Sequence, residues 1–489
     1  MPLFSPRRYQ KAFLPVKRDP VGVRALTAVE LVIKDVLFGC RMCGNCILQE
    51  TAFICPMSCP KGLRNGLCGE SGSERCVVDE NRPCTWYLIY DRAERMGRLD
   101  KLLEINAPID GARSGHESWL DLFKFWRERG QGPRLIDWLI NRERFDKQSQ
   151  RILFEYRQPE WWQGDAAYHA PAYEKSVSLL DTNLQAGNFV TTLDVASVAE
   201  NAPEEIVEKA QVLKKHVVSA NYSDNPFGSA HMASIASCKI SLETGLEPVL
   251  QIQARDRTRA GVQALALGAS AMGIRNILCL GGDFHTGGPD PYAIPQQFDI
   301  DSVQMLWILR RMRDEGKFID GREMEKRPVY FLGAAGSPFA APTRYDAIRI
   351  EKKVNAGAQF IQTQMIFDYQ RFTDWMEQLD KRGLLDKVAI LSSALFLTSA
   401  ADAHFLASEP GIIIPNEFLK RMDTAAQKDV DGSNEHQIEE GVSIALEIIE
   451  KLKATAGIRG IHLMIEGSEY LVPRVTELAG LSGPQITKL

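Results

Sequence analysis

From residue 188 onward the chain alternates between two patterns of apolar positions. Short, near-continuous apolar runs rich in β-branched residues lie at 189–195, 216–222, 247–254, 275–282, 327–336, 360–367, 387–394 and 460–466. Between them lie stretches with apolar residues every three or four positions, such as PEEIVEKAQVLKK, RAGVQALALGASAMG, DAIRIEKKVNAGA and HQIEEGVSIALEIIEKLKATAG. An apolar run without polar alternation predicts a strand buried on both faces, as in a parallel sheet wrapped by helices. Eight strand–helix units across residues 181–489 match the count and size of a (β/α)8 TIM barrel, an α/β fold. The rival is an open doubly wound sheet. No Gly-x-Gly-x-x-Gly opens a helix after the first strand, which argues against it.

The pattern upstream is different. Residues 91–180 are charged and carry Trp119, Trp126, Trp138, Trp161 and Trp162. ESWLDLFKFWRERG and PRLIDWLINRERF have helical spacing and predict a helical connector in which the tryptophans are packing anchors. Residues 1–90 are rich in Cys, Gly and Pro and predict a small cysteine-rich, metal-binding domain. A chain of 489 residues exceeds one ordinary core, so more than one domain is expected. The net charge of −5 provides no basic footprint for nucleic acid. No apolar run approaches the roughly 20 residues that cross a bilayer, and the basic, proline-containing start has no apolar signal core. A cytoplasmic protein with no membrane partner is expected.

In a TIM barrel the site lies at the C-terminal ends of the strands. Those ends carry Asp194, then Asn221 and Tyr222, Arg255 and Asp256, Asp283, Gly336 and Ser337, Gln364, and Glu466. Carboxylates and amides there suit a polar heterocycle, because they pair with ring donors and acceptors. His285 alone of the histidines follows one of these ends closely, so a histidine-rich zinc hydrolase is disfavoured. Each residue also has a structural reading: Asp194 or Asp256 as a helix cap, Arg255 as an ion partner of Asp256, Gln364 as a partner of backbone.

The combination resembles the methylenetetrahydrofolate reductase family over essentially all of 188–489. GIRNILCLGGD is similar to the family's fourth strand, with Asp283 at its aspartate position, and Tyr292-Ala293 matches a Tyr-Ala pair beside the flavin. DAIRIEKKVNAGAQFIQTQMIFD resembles the most specific family segment. The resemblance implies a flavin, FAD with FMN as the alternative, contacted by Asn221, Asp283, Tyr292, Ala293, Asp346 and Lys353. It implies a tetrahydrofolate substrate contacted by Asp283 and Gln364. Hydride would pass from the reduced flavin to the one-carbon unit, with Asp194 as the general acid that opens the five-membered ring. Asp194 stands where the family usually has Glu, and Asn221 where it usually has Thr. GSPF lacks a family His. ILSSALFLTSAADAHF lacks the aromatic residue that stacks on nicotinamide in well-known members, so NAD(P)H is disfavoured as direct donor and a redox protein is the alternative.

Eight of the ten cysteines fall between Cys40 and Cys84: Cys40, Cys43, Cys46, Cys55, Cys59, Cys68, Cys76 and Cys84. A C-x2-C-x2-C run followed by Cys-Pro has the spacing of a ferredoxin-type loop, and eight thiolates make two sets of four. Two [4Fe–4S] clusters are therefore expected, with four-cysteine zinc sites as the alternative. CPMSCPKGLRNG is similar to the small cysteine-rich subunit or fused domain that accompanies some methylenetetrahydrofolate reductases, which implies electron delivery to the flavin. Two readings of other classes compete: a pterin-dependent methyltransferase barrel, and a non-catalytic electron-transfer or assembly protein.

Overall fold

A computed structural model describes residues 11–17, 19–69, 74–119, 159, 161–173, 175–282, 298–340, 342–409, 411–429, 433–465, 467–481 and 483. The chain forms two compact units: residues 1–67 with 74–165, and residues 68–73 with 166–489. The helical stretches expected around Trp126 and Trp138 lie outside the described residues, as do Asp283, His285, Tyr292, Ala293 and Glu466.

The first unit opens with α1 (Val21–Phe38), closed by Gly39 in the left-handed region. A small antiparallel hairpin, β1 (Arg75–Cys76) with β2 (Asp79–Pro83), leads through Cys84 into α2 (Thr85–Arg95). Buried side chains tie the intervening loops together. Trp86 Nε1 donates to the Leu63 carbonyl at 3.0 Å, and Arg64 donates to the carbonyls of Ala107 and Asn45. Asn65 and Asn106 exchange side chain-to-backbone hydrogen bonds, which pins the two segments side by side.

The second unit begins with a short helix, α3 (Leu179–Gln185), and closes into an eight-stranded parallel barrel. Its strands are β3 (Val190–Val195), β4 (Ser219–Tyr222), β5 (Glu247–Gln253), β6 (Asn276–Leu280), β7 (Phe331–Gly336), β8 (Phe360–Met365), β9 (Ala389–Leu395) and β10 (Ile458–Met464). Helices α4 (Pro203–Leu213), α5 (Ser234–Thr244), α6 (Arg259–Ala271), α7 (Ser302–Asp314), α8 (Thr343–Ala356) and α9 (Tyr369–Lys381) follow the first six strands in turn. The barrel is therefore as the apolar runs predict, and β10 closes it by pairing with both β3 and β9.

Two details differ from the sequence expectation. The fifth run begins as a strand only at Phe331, because the preceding Arg327–Tyr330 stretch contains Pro328, which has no N–H for the ladder. After β9, two further helices, α10 (Ala400–Ser408) and α11 (Asn416–Ala426), come before the long α12 (Glu435–Lys453). A last helix, α13 (Val472–Leu478), follows β10.

The N-terminal mouth of the barrel is filled by apolar side chains. Val190, Val218, Val249, Leu278, Phe331, Phe360 and Leu391 meet there, and Leu180 and Leu184 of α3 pack onto them as a plug. The rings of Phe331 and Phe360 stack at 5.1 Å. Glu247 accepts from the N–H groups of Leu179 and Leu180 at the start of α3, which anchors the plug to β5. The C-terminal ends of the strands form the opposite mouth.

Two mid-helix glycines offer opposite tests of this packing. A Cβ on Gly441 of α12 would lie 1.7 Å from the Leu397 carbonyl oxygen, whereas on Gly268 of α6 its nearest neighbour would be 3.9 Å away. Gly441→Ala is expected to destabilise the barrel by about 1–3 kcal/mol. Gly268→Ala is expected to stabilise it by about 0.4–1 kcal/mol through a less flexible unfolded chain. Chemical denaturation of the two variants beside the parent measures both signs.

Candidate functional site

Above the apolar plug the barrel interior turns polar. Asn221 of β4 and Gln362 of β8 face each other across the lumen and exchange amide hydrogen bonds of 2.7 and 3.2 Å. Gln362 Nε2 also lies 3.3 Å from His462 Nδ1 on β10, and Thr192 Oγ1 of β3 lies 2.9 Å from the same nitrogen. The other ring nitrogen, His462 Nε2, is 3.2 Å from Asp194 Oδ2. Gln251 of β5 donates to Asp194 Oδ1 at 3.1 Å. Asp194 is thus suspended between an imidazole and an amide. Its side chain is 21% exposed while that of His462 beneath it is 3% exposed, so the carboxyl group is the member of the network that reaches the mouth.

Asp194 is accordingly no helix cap; α4 begins after Ala202 with Pro203 at its first position. The cap expected of Asp256 belongs instead to Thr258, whose hydroxyl accepts from Gly261 N. Asp256 is paired with Arg255 at 2.9 Å, as its structural reading expected. Gln364 does not satisfy backbone through its carbonyl: its buried Oε1 has no hydrogen-bond partner among the described residues. The same holds for Gln253 Oε1 at the end of β5. Two orphaned amide oxygens at the C-terminal mouth are acceptors waiting for N–H donors, which a pterin or isoalloxazine edge supplies.

Asp346 and Lys353 lie on α8 and are buried. Trp375 Nε1 donates to Asp346 Oδ2 at 2.6 Å, and Asp346 is ion-paired with Arg349 one turn on. Lys353 Nζ donates to the Ala335 carbonyl on β7 at 2.6 Å. Burial, reinforced by the nearby Arg349 charge, lowers its ammonium to about 7. A buried ammonium bonded to a neutral carbonyl fits an anionic group such as a flavin phosphate or a reduced flavin ring, whose charge would reverse that shift.

His462, Gln251, Gln362 and Thr192 belong to the polar network around Asp194, and strand-end reading misses them because they sit below the ends. A signal existed. VLQIQ and IQTQM place glutamines at alternate positions of otherwise apolar strands, the period that points two polar groups to one face.

In the first unit, Cys40, Cys43, Cys46 and Cys55 line one cavity together with Lys34, Arg41, Arg64 and His116. Two left-handed residues shape the loop, Met42 and Gly44. The turn at Met42 brings its N–H within 3.3 Å of Cys40 Sγ. Gly44 is obligatory, since a Cβ would sit 2.0 Å from the Arg113 carbonyl oxygen. Lys34 Nζ reaches Cys46 Sγ at 3.9 Å and bonds Glu30 and Ser118 Oγ. Burial opposes its charge, but neighbouring Cys46 and Glu30 prevail and hold the ammonium above its ordinary range. Burial pushes the Cys40 thiol up to about 12 and Cys55 well above its usual value, with the other thiols adding to the effect. Such thiols ionise only when a bound cation takes the charge. Among the described residues, no three His, Cys, Asp or Glu side chains are grouped tightly enough for a single metal ion.

Of the other cysteines, Cys59 follows the Pro56–Ser58 turn, Cys76 is on β1 and Cys84 precedes α2. The Cys84 N–H donates to the Glu74 carbonyl at 2.7 Å, which holds the latter two at the hairpin. Cys68 belongs to the short segment that groups with the barrel unit.

The Lys353 shift has a stability consequence in ligand-free protein. The unfolded chain keeps this amine charged up to its ordinary value of 10.5, whereas the folded chain releases the proton near 7. Between these values the unfolded state binds more protons, so this residue makes stability rise with pH. Lys353→Met is expected to be more stable than the parent at pH 7, with the advantage shrinking to nothing towards pH 10.5. Urea unfolding of both chains at steps across that window is the measurement, and parallel profiles would refute the assignment.

Comparison with known proteins bears on both units. The methylenetetrahydrofolate reductase pattern matches residues 184–480. A second pattern, described as the C-terminal part of methylene-tetrahydrofolate reductase, matches residues 23–112, here ahead of the barrel. The chain is 23% identical over 262 residues to 5,10-methylenetetrahydrofolate reductase of Pectobacterium carotovorum, covering 52% of this chain and 77% of that one. It is 30% identical over 217 residues to methylenetetrahydrofolate reductase 1 of Schizosaccharomyces pombe, covering 44% of this chain and 32% of that one. The matched barrel is more than half of the sequence: the chain belongs to the methylenetetrahydrofolate reductase family and is an oxidoreductase.

Proposed function

We propose that this chain converts 5,10-methylenetetrahydrofolate to 5-methyltetrahydrofolate with Asp194 as the proton donor, a flavin as hydride carrier and an iron–sulfur centre in the first unit as electron relay. The observation that carries the reading is the suspended carboxyl group. Ring opening of the substrate needs a proton delivered to the departing nitrogen, and Asp194 is the acid that reaches the mouth while its other contacts fix its orientation.

The remaining residues bind and orient. Gln364 would take the pterin edge through its orphaned oxygen, and Asn221 holds Gln362 so that the floor beneath the ring stays rigid. Asp283, Tyr292 and Ala293, outside the described residues, are proposed flavin or folate contacts from their place in the sequence. Lys353 would hold the flavin's negative charge, with Asp346 kept in place by Trp375 and Arg349. The flavin, when bound, supplies two-electron chemistry at its ring. FAD and FMN both fit a lysine that recognises one phosphate or ring charge.

Four thiols around one cavity suit a cubane, in which each sulfur holds a different iron. Cys40, Cys43, Cys46 and Cys55 would be those ligands, with the Met42 N–H and the Lys34 ammonium directed at sulfur. Both donors stabilise the more negative, reduced state. An iron–sulfur relay matches the missing nicotinamide-stacking aromatic, since electrons then come from a redox partner.

Two measurements test these parts separately. With reduced methyl viologen as donor, Asp194→Asn is expected to lower the rate of methyltetrahydrofolate formation by about 100-fold or more, while Asp194→Glu retains most of it. A full rate in Asp194→Asn would remove Asp194 from the acid role. Anaerobic isolation with iron and sulfide supplied should give a broad visible charge-transfer absorbance that is diminished in Cys43→Ser and Cys55→Ser. A colourless, zinc-loaded protein would overturn the relay.

A further inference from the structure

A helix in water is stabilised chiefly by burying an apolar face against the rest of its molecule. Helix α1 of the first unit does the reverse. Its inward face presents Thr27, Glu30 and Lys34, all buried. Glu30 accepts from the Ser118 and Trp119 N–H groups and from Lys34, and Lys34 reaches Cys46 Sγ at 3.9 Å. That face is committed to the wall of the thiol cavity. The opposite face carries Val21, Ala25, Ala28, Val29, Val32 and Val36, every one exposed; Val32 is 63% and Val36 58% exposed. At about 100° and 1.5 Å per residue, these six fill an arc of roughly 100° that runs about 22 Å along the helix, with no polar side chain inside it. An apolar stripe on the outer side of a helix marks a surface that another protein covers.

We propose that this face pairs with the same face of a second copy of the chain, the two α1 helices lying antiparallel about a two-fold axis at Ala28 and Val29. The shape of the stripe selects this occupant. Its first half holds the small residues Ala25 and Ala28, and its second half the bulkier Val29 and Val32. Reversing one copy sets Ala25 against Val32 and Ala28 against Val29, so each bulky side chain meets a small one. Val21 meets Val36 only at the ends, where crossing helices diverge. A parallel pair would instead crowd valine on valine in one half and leave a gap in the other.

The charges agree with the shape. One edge of the stripe is flanked by Arg24 near its start and Asp35 near its end. A two-fold axis between antiparallel helices brings Arg24 of each copy to the same edge as Asp35 of the other, which makes two symmetric pairs of opposite charge. A parallel pair would keep them on opposite edges. A lipid surface is a poorer fit, because Asp35 offsets Arg24 and the stripe lacks the cationic rim that draws a helix to anionic headgroups. One helix pair lies at the small end of specific interfaces, so a dissociation constant on the order of micromolar is expected.

The test is sedimentation velocity of the full chain from about 1 to 100 µM, a range that brackets such an affinity, with circular dichroism to confirm folding. Ala28→Glu sets like charges together at the axis and is expected to raise the concentration at half-association by about 10-fold or more. Arg24→Asp and Asp35→Arg should each raise it about threefold to tenfold, and the double variant should return it to the parental value. A parent that sediments as a single chain throughout overturns the proposal, whether the face is then covered by the chain itself or by a different protein. Equal association of the parent and Ala28→Glu overturns it as well, since another surface must then join the copies. Should Ala28→Glu not fold, the charge variants decide: single variants that associate like the parent, or a double variant that fails to recover, refute the antiparallel pair.

Discussion

A closed barrel of eight strands has an interior in which every polar group must find a partner inside the wall. The layer formed by Thr192, Asp194, Asn221, Gln251, Gln362 and His462 meets that condition with hydrogen bonds among its own members. The site depends on this closure. A polar layer of this kind is rigid because loss of any member strands its neighbours in a low-dielectric space. The apolar plug below and the orphaned amide oxygens above set the two limits of the layer. Below it nothing polar is tolerated, and above it Gln253 and Gln364 are left for a ligand to satisfy.

The first unit solves a different problem with different means. It has little regular structure around its thiols, so side chain-to-backbone bonds take over the task of strands. Arg64, Asn45, Asn65 and Asn106 bind loop carbonyls and amides, and Trp86 closes one side. The cavity that results collects four thiols, two of which, Cys40 and Cys55, burial pushes towards the neutral form, next to a lysine that burial fails to neutralise.

Much of the barrel was legible in the chain, because parallel strands buried on both faces leave unbroken apolar runs that no other element of that length produces. The place of Asp194 at a strand end followed from the same pattern. Its partners did not. His462 lies within an apolar run, and strand register sets it opposite Thr192 and within hydrogen-bond reach of Asp194, which requires β10 to pair with β3 across 270 positions of sequence. The start of β7 at Phe331 and the two helices ahead of α12 were hidden for a similar reason: Pro328 interrupts a run that is otherwise strand-like, and short helices carry weak periodicity. In the first unit the cysteine spacing showed which thiols share a loop, whereas their neighbour Lys34 arrives from a helix whose sequence contains no hint of it.

The plug of Leu180 and Leu184 has a kinetic meaning. With one end of the lumen stoppered, nothing passes through the barrel from end to end, so whatever binds at the C-terminal ends of the strands leaves on the side from which it came. Traffic there is by turns. Two molecules that use this end of the barrel therefore exclude each other, and neither can pass the other through the lumen.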